Sequence, residues 1–180
     1  MKITLVRHAE VIQEYQGKYN GHIDIALSAQ GREDAKKLAQ KLHDVEFDKI
    51  YCSDLLRARE TLKAFSYELE PLYTKELREK SWGKHEGKSF EEIQAEGIKY
   101  INFHQWISSL DGEDVSAYSQ RVKNYFYETI FKDEAQNILV ITHSGVIKTL
   151  LSFVKNISLE EAFSINIPYA SSLTLDTISL

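Results

Sequence analysis

The sequence of 180 residues contains one cysteine, two prolines and no apolar run long enough to cross a bilayer. The lone cysteine, Cys52, has no second thiol with which to form an internal disulfide. A buried thiol in a reducing compartment is its expected form. Since a basic, apolar and small-residue leader is also missing, we expect a cytoplasmic protein that does not bind membranes.

An excess of positive charge is missing as well, because 27 Asp and Glu outnumber 22 Lys and Arg and leave a net charge of −5. Proteins that bind nucleic acid or anionic membranes in a general way carry the opposite sign. We therefore expect no nucleic-acid partner, although one local basic pocket is compatible with this charge. The length and the 43% of hydrophobic residues predict a single domain over residues 1–180 with a sizeable core.

Short apolar strands alternate with amphipathic helices along the chain. Apolar runs predict strands at residues 3–6, 49–53, 72–79 and 137–142. Helical spacing of apolar residues, or a capping sequence, predicts helices after Ser28, at 54–69, after Ser89, at 118–130, at 146–154 and after Ser158. Residues 165–180 alternate enough for one or two edge strands. The alternation predicts an α/β fold, a three-layer αβα sandwich with a mostly parallel central sheet.

The first strand ends in Arg7 and His8. In open α/β sheets, ligands bind at the carboxyl ends of the strands, so both side chains are expected beside a ligand. Arginine offers a rigid fork of donors that matches an oxyanion, and a neutral histidine can be a nucleophile. The pair therefore indicates phosphate chemistry, whereas a hydrogen-bonded structural histidine is the alternative.

Other polar residues follow the remaining strands. Arg57 comes just after the second strand, and Glu79 ends the third segment. His143 and Ser144 follow the most apolar strand and begin a helix, where free N–H groups and the helix dipole favour an anion. Taken alone, Arg57 would be read as a solvated surface residue.

Four sequence blocks, in order along the chain, resemble the signature of the histidine phosphatase superfamily, whose fold is that of phosphoglycerate mutase. The blocks are Leu5-Val6-Arg7-His8-Ala9-Glu10, then Ser53, Leu55, Arg57, Ala58 and Thr61, then Leu77-Arg78-Glu79 with Gly83 and Glu86-Gly87, and last Thr142-His143-Ser144-Gly145. Each block is common by itself, but the ordered set spans nearly the whole chain and is specific.

The resemblance implies a metal-independent phosphomonoesterase that needs no cofactor and acts on a small phosphorylated substrate. His8 would form a phosphohistidine, and Glu79 would protonate the leaving oxygen and then activate water. Arg7, Arg57, His143 and Ser144 would bind the phosphoryl oxygens.

The sequence departs from the family pattern at three positions. Ala9 replaces a glycine, Val11 replaces a threonine, and Glu14 stands where many members have an asparagine. A carboxylate at position 14 would repel phosphate, so either Glu14 points away and Gln13 or Asn20 takes its place, or phosphate binding is weak.

Within the family, the sequence most resembles the α-ribazole phosphatase type, through Tyr19-Asn20-Gly21-His22 and the stretch from Gly112 to Val122. The substrate would then be α-ribazole 5′-phosphate, in cobalamin biosynthesis. A phosphoglycerate mutase, a broad-specificity or phosphohistidine phosphatase, and a weakly catalytic phospho-ligand binding module are the alternatives. A metal site on His8, His22, His85 and His143 is a rival, but these histidines lack metal-ligand spacing.

An aromatic stripe from Tyr100 to Leu110 carries Phe103 and Trp106 at helical spacing. We interpret it as core, with a lid over the site as the alternative. Its rings could also stack on a benzimidazole base.

Overall fold

The computed structural model describes residues 1–177 as a five-stranded sheet between helices. The strands are β1 (Lys2–Arg7), β2 (Lys49–Ser53), β3 (Leu72–Thr74), β4 (Asn137–Thr142) and β5 (Ser172–Asp176). Their order is β3-β2-β4-β1-β5, and only the β1–β5 pair is antiparallel. The register sets Arg7 beside Thr142, so β1 and β4 end side by side at the centre of the sheet.

Helices cover both faces of this sheet. They are α1 (Ala29–Lys41), α2 (Leu56–Leu62), α3 (Phe90–Ala95), α4 (Phe103–Ser109), α5 (Val115–Tyr125), α6 (Ser144–Val154) and α7 (Leu159–Ser164). Leu5 of β1 packs in the core with residues of α5 and α6, whereas Val6 packs on the other face with residues of α1 and α2. This two-residue alternation confirms the three-layer αβα fold with a mostly parallel sheet.

The helix starts follow the capping residues. Ser28 accepts a hydrogen bond from the Gly31 N–H at 2.8 Å, at the start of α1. Ser89 and Glu92 form a complete capping box at the start of α3. These predictions were confirmed because a cap is decided by the few residues around it.

The predicted helix over 54–69 is wrong in length, because α2 ends at Leu62. The chain then turns, with Phe65 N–H donating to the Leu62 carbonyl at 2.9 Å. Phe65 still reaches the core, and its ring stacks on that of Tyr67. Phe65 is therefore buried as the spacing predicted, but the chain brings it into the core through a tight turn and not by continuing the helix.

The predicted strand over 72–79 is also too long. β3 ends at Thr74, whose hydroxyl accepts from the Glu76 N–H at 3.1 Å and opens a short 3₁₀ turn. Glu79 therefore lies on a loop rather than at a strand end. Similarly, the predicted helix over 118–130 changes to a π-helical turn at Phe126–Ile130.

The aromatic stripe is mostly core. Trp106, Ile107 and Leu110 are buried in a separate cluster with Trp82, whereas Tyr100 is 49% exposed. In residues 1–177, no helix is long and apolar enough to span a membrane.

Candidate active site

A cavity of about 330 Å³ opens at the carboxyl end of the sheet. All six residues that the sequence predicted for the site line it: Arg7, His8, Arg57, Glu79, His143 and Ser144. Two parallel strands end there, and the helix that follows β4 begins there, so one edge of the sheet gathers residues from distant parts of the chain.

His8 is buried, and its ring geometry defines one free nitrogen. The ring Nδ1 lies 2.8 Å from the Ala9 carbonyl oxygen. A carbonyl only accepts, so the proton is assigned to Nδ1 and the lone pair to Nε2. Burial, with the positive charges of Arg57 and Arg7, holds the pKa of His8 well below its ordinary range. The side chain is therefore neutral at pH 7 and has a nucleophilic nitrogen.

Arg57 is 1% exposed, so the surface alternative is wrong. Its terminal nitrogens donate to three backbone carbonyls of the preceding loop: Asn20 at 2.9 Å, Gly21 at 2.7 Å and Ile23 at 2.8 Å. Burial lowers the pKa of Arg57 to about 10, which leaves it charged at neutral pH. The 20–23 loop thus fixes one cation of the site.

Arg7 is held by the segment before β5. One terminal nitrogen donates to the Ile167 carbonyl at 2.6 Å, and the guanidinium lies 3.8 Å from the Tyr169 ring centroid. Arg7 Nε is buried and has no hydrogen-bond partner among the described residues. Sequence reasoning missed Tyr169, since no motif surrounds it and its position depends on how residues 167–171 cross the end of β1.

His143, which caps the start of α6, is 1% exposed. Its Nδ1 lies 3.3 Å from Arg57 Nε, and its Nε2 lies 2.8 Å from Ser53 Oγ. Burial and the neighbouring Arg57, His8 and Arg7 hold the pKa of His143 well below its ordinary range. The ring is therefore neutral at pH 7.

Glu79 reaches the N-terminus of α6 from its loop. One carboxylate oxygen accepts from the Gly145 N–H at 2.8 Å. The other accepts from the Tyr118 hydroxyl at 2.9 Å and from the Lys80 N–H at 3.0 Å. Three donors and a helix dipole hold the carboxylate in place. Tyr118 was assigned only to the core by its helical spacing, so its hydroxyl is a second contact that the sequence did not reveal.

Two of the three departures from the family pattern are accommodated by packing. Ala9 is buried with Leu27 and Ala35, so its methyl group belongs to a small apolar cluster. Its N–H donates to Thr61 Oγ1 at 2.9 Å. Val11 is buried and forms an isolated antiparallel β-bridge with Leu27.

Glu14 is exposed and does not line the cavity, which removes the expected repulsion. Asn20 lines the cavity and Gln13 does not. The Asn20 side-chain amide donates to the Tyr15 carbonyl, and its Oδ1 is buried without a partner among the described residues. Of the two substitutes that the sequence offered, only Asn20 is in position.

The other histidines have contacts of their own. His22 Nε2 lies 3.0 Å from the Glu79 carbonyl oxygen, so this side chain is part of the wall behind the site rather than a surface residue. His85 is buried, and its Nδ1 accepts from the Asp111 N–H at 2.9 Å. Across residues 1–177, no three His, Cys, Asp or Glu side chains cluster in a way that could hold a metal ion.

The outer part of the cavity is basic and aromatic. Lys148, one turn along α6 from Ser144, donates to the Phe163 carbonyl at 3.0 Å. Burial and the nearby Arg7 lower the pKa of Lys148. The remaining wall residues are Lys18, Tyr19, Asn20, Trp82, Gly145, Phe163 and Tyr169.

Known proteins share both the sequence and the fold. The sequence model of the histidine phosphatase superfamily (branch 1) matches residues 3–178. Adenosylcobalamin/alpha-ribazole phosphatase of Escherichia coli K12 is 32% identical over 160 residues, covering 84% of this chain and 78% of the relative. Phosphoserine phosphatase 1 of Hydrogenobacter thermophilus is 29% identical over 180 residues, covering 95% and 84%.

The structural agreement extends over the chain. The crystal structure of the alpha-ribazole phosphatase from Shigella flexneri superposes with a TM-score of 0.85 at 28% identity and covers 98% of this chain and 90% of that one. These relatives support a phosphomonoesterase of small molecules. The protein belongs to the histidine phosphatase superfamily, branch 1.

Proposed function

We propose that this enzyme hydrolyses a small phosphomonoester through a phosphohistidine on His8, with α-ribazole 5′-phosphate as its substrate. The observation that carries the mechanism is the neutral ring of His8. Its Nδ1 carries the proton, so Nε2 has the lone pair, and the ring lines the same cavity as Arg7 and Arg57. A neutral nucleophile between fixed cations suits attack on an anionic phosphoryl group.

In the first step, Nε2 of His8 attacks phosphorus and the bond to the ester oxygen breaks. Glu79 in its protonated form gives its proton to the departing oxygen, so the alcohol leaves neutral. Arg7 and Arg57 bind the oxygens on which negative charge is carried, and the Ser144 N–H at the start of α6 adds a donor.

In the second step, water attacks the phosphohistidine. The Glu79 carboxylate takes a proton from that water, the P–N bond breaks, and His8 recovers its lone pair. The donors from Tyr118, Lys80 and Gly145 support this second role, because they hold the ionised carboxylate in place at the N-terminus of α6.

The substrate is proposed on two grounds. Relatives that share most of the chain are named alpha-ribazole phosphatases. The cavity wall offers the rings of Tyr19 and Phe163, which can stack on a planar base.

A second candidate is a phosphomonoester with a carboxylate, such as phosphoserine. The observation that favours it is the ammonium of Lys148, which lines the cavity and has one backbone acceptor among the described residues. An ammonium has three donors, so a substrate carboxylate would find a partner there.

Phosphate release decides between these possibilities. We would compare α-ribazole 5′-phosphate, phosphoserine and p-nitrophenyl phosphate in excess EDTA, with His8→Ala as the blank and the exposed His104→Ala as the matched control. Faster turnover of α-ribazole 5′-phosphate, lost only in His8→Ala, is the expected result. Equal turnover of all three esters would reject the substrate, and activity in His8→Ala would reject the mechanism.

A further inference from the structure

Protein groups occupy both ring nitrogens of His143, so neither nitrogen offers a free N–H to a ligand. Arg57 Nε can only donate, so the ring Nδ1, 3.3 Å away, accepts. The one proton of the neutral ring is then on Nε2, which donates to Ser53 Oγ at 2.8 Å. A phosphoryl oxygen would meet a lone pair rather than a donor on this ring. The phosphate-binding role proposed for His143 therefore requires a proton on Nδ1.

We infer that Ser53 is a positioning residue that occupies Nε2 of His143 and reserves Nδ1 for the phosphoryl group, and that filling the site places a proton on Nδ1. The inference rests on the proposed phosphoryl site and describes how that site is prepared.

The position of Ser53 explains why a hydroxyl is needed. It is the last residue of β2, next to β4 in the sheet, and is completely buried, so water cannot replace it. A serine oxygen accepts from Nε2–H whether the ring is neutral or charged. Because that contact is kept in both states, Nδ1 is the nitrogen whose protonation can change.

The charges around His143 oppose that proton until an anion arrives. Arg57 of α2, Arg7 and His8 at the end of β1, and His22 of the loop all lie close enough to disfavour a positive ring. A bound dianion reverses the sign of the local field. The Nε–H of Arg57 and the new Nδ1–H of His143 then both donate to a phosphoryl oxygen, while the terminal nitrogens of Arg57 keep their contacts with the loop carbonyls.

The proton is conserved in this step. A substrate monoanion transfers its own proton, so an O–H bond breaks, an N–H bond forms on Nδ1, and the phosphoryl group becomes a dianion beside an imidazolium. With sulfate, which carries no proton at neutral pH, the proton comes from solvent. Binding of sulfate should therefore take up one proton and weaken as the pH rises, by up to about tenfold per pH unit.

Nitrogen NMR tests this directly. In protein labelled with both ¹⁵N-histidine and ¹⁵N-arginine, long-range ¹H–¹⁵N spectra report which ring nitrogens carry protons, and the guanidinium signals report anion binding at the arginines. Before sulfate is added, His143 should show Nε2–H with a bare Nδ1, and saturation with sulfate should protonate Nδ1. A His8→Ala background removes the other histidine that lines the described cavity.

The variants separate positioning from packing. In Ser53→Ala, Nε2–H loses its acceptor, and we expect mixed tautomers with kcat/KM reduced about tenfold, the worth of one hydrogen bond. Ser53→Thr keeps the hydroxyl and should restore the single tautomer. Ser152→Ala, which removes a buried hydroxyl bonded to the Thr149 carbonyl, should leave the spectrum unchanged.

Three results would overturn the inference. If sulfate shifts the signals of Arg7 while Nδ1 stays bare, or if Ser53→Ala keeps the wild-type tautomer, the inference alone fails. If sulfate shifts no signal from the cavity, the anion site itself is absent and the proposed function fails with it.

Discussion

The Gly145 N–H donates to the Glu79 carboxylate at 2.8 Å, and this contact requires a glycine. A Cβ added to Gly145 would lie 2.1 Å from the nearer carboxylate oxygen. The Glu79 carboxylate can therefore contact the first turn of α6 because residue 145 has no side chain. Any larger residue at position 145 must displace it.

Gly145→Ala should therefore reduce kcat by roughly 100-fold, within the range that general acid–base catalysis contributes. Since Arg7 and Arg57 remain in place, inhibition by inorganic phosphate should change little. Steady-state kinetics with phosphate as inhibitor make this measurement. Glu79→Gln, which keeps the shape but loses the acid, should have a similar loss. Full activity in Gly145→Ala would contradict the role of this contact.

Arg57→Lys should reduce kcat/KM strongly, although the substitution keeps the positive charge. A lysine cannot satisfy the carbonyls of Asn20, Gly21 and Ile23 with a planar fork. We expect kcat/KM to fall by about 10²–10³, as for the loss of one oxyanion donor. Arg59→Lys, on the same helix but exposed, is the matched control and should retain activity. Comparable losses in both variants would show that the effect is not specific to the cavity.

His8 and His143 are buried and neutral, and both contribute to the pH dependence of stability. Their pKa values are lower in the folded protein than in the unfolded chain, so below about pH 6.5 the unfolded chain binds more protons. The free energy of unfolding should then fall on acidification, by up to about 1.4 kcal/mol per pH unit for each histidine. Urea unfolding between pH 7.5 and 5.5 measures this slope. A His8→Asn, His143→Asn double variant should flatten it, and an unchanged slope would assign the effect to other groups.

Lys148→Met should discriminate between the two candidate substrates. Methionine matches the apolar stem of the lysine side chain and removes the ammonium. If the cavity takes α-ribazole 5′-phosphate, whose leaving group has no carboxylate, KM should change less than about threefold, as expected for a partly screened charge. A KM for phosphoserine that rises tenfold or more would favour the carboxylate candidate. Lys155→Met, exposed at the end of the same helix, is the control.

Much of the fold could be predicted because its central strands are decided by local sequence. Ile138 to Ile141 are apolar, β-branched or leucine and buried on both faces, so few other structures were possible. The polar residues at the ends of such strands can be placed equally well. For this reason the sequence predicted that Arg7, His8 and His143 lie at the same edge of the sheet.

The remaining features depend on contacts between distant segments. No local pattern indicates that Arg57 is buried by loop carbonyls, that the Tyr118 hydroxyl reaches Glu79, or that Tyr169 lies over Arg7. The predicted helix over 54–69 was too long for the same reason. Phe65 has the spacing of a helical core residue, but in the structure a turn after α2 brings it into the core.

The pairing of β1 with β4 joins the beginning of the chain to a segment near its end. Such non-local contacts carry a loop-closure entropy cost, which slows folding. A nascent chain would therefore remain without phosphatase activity until β4 had emerged from the ribosome and docked. During refolding, activity should return together with amide protection of β4 and never before it.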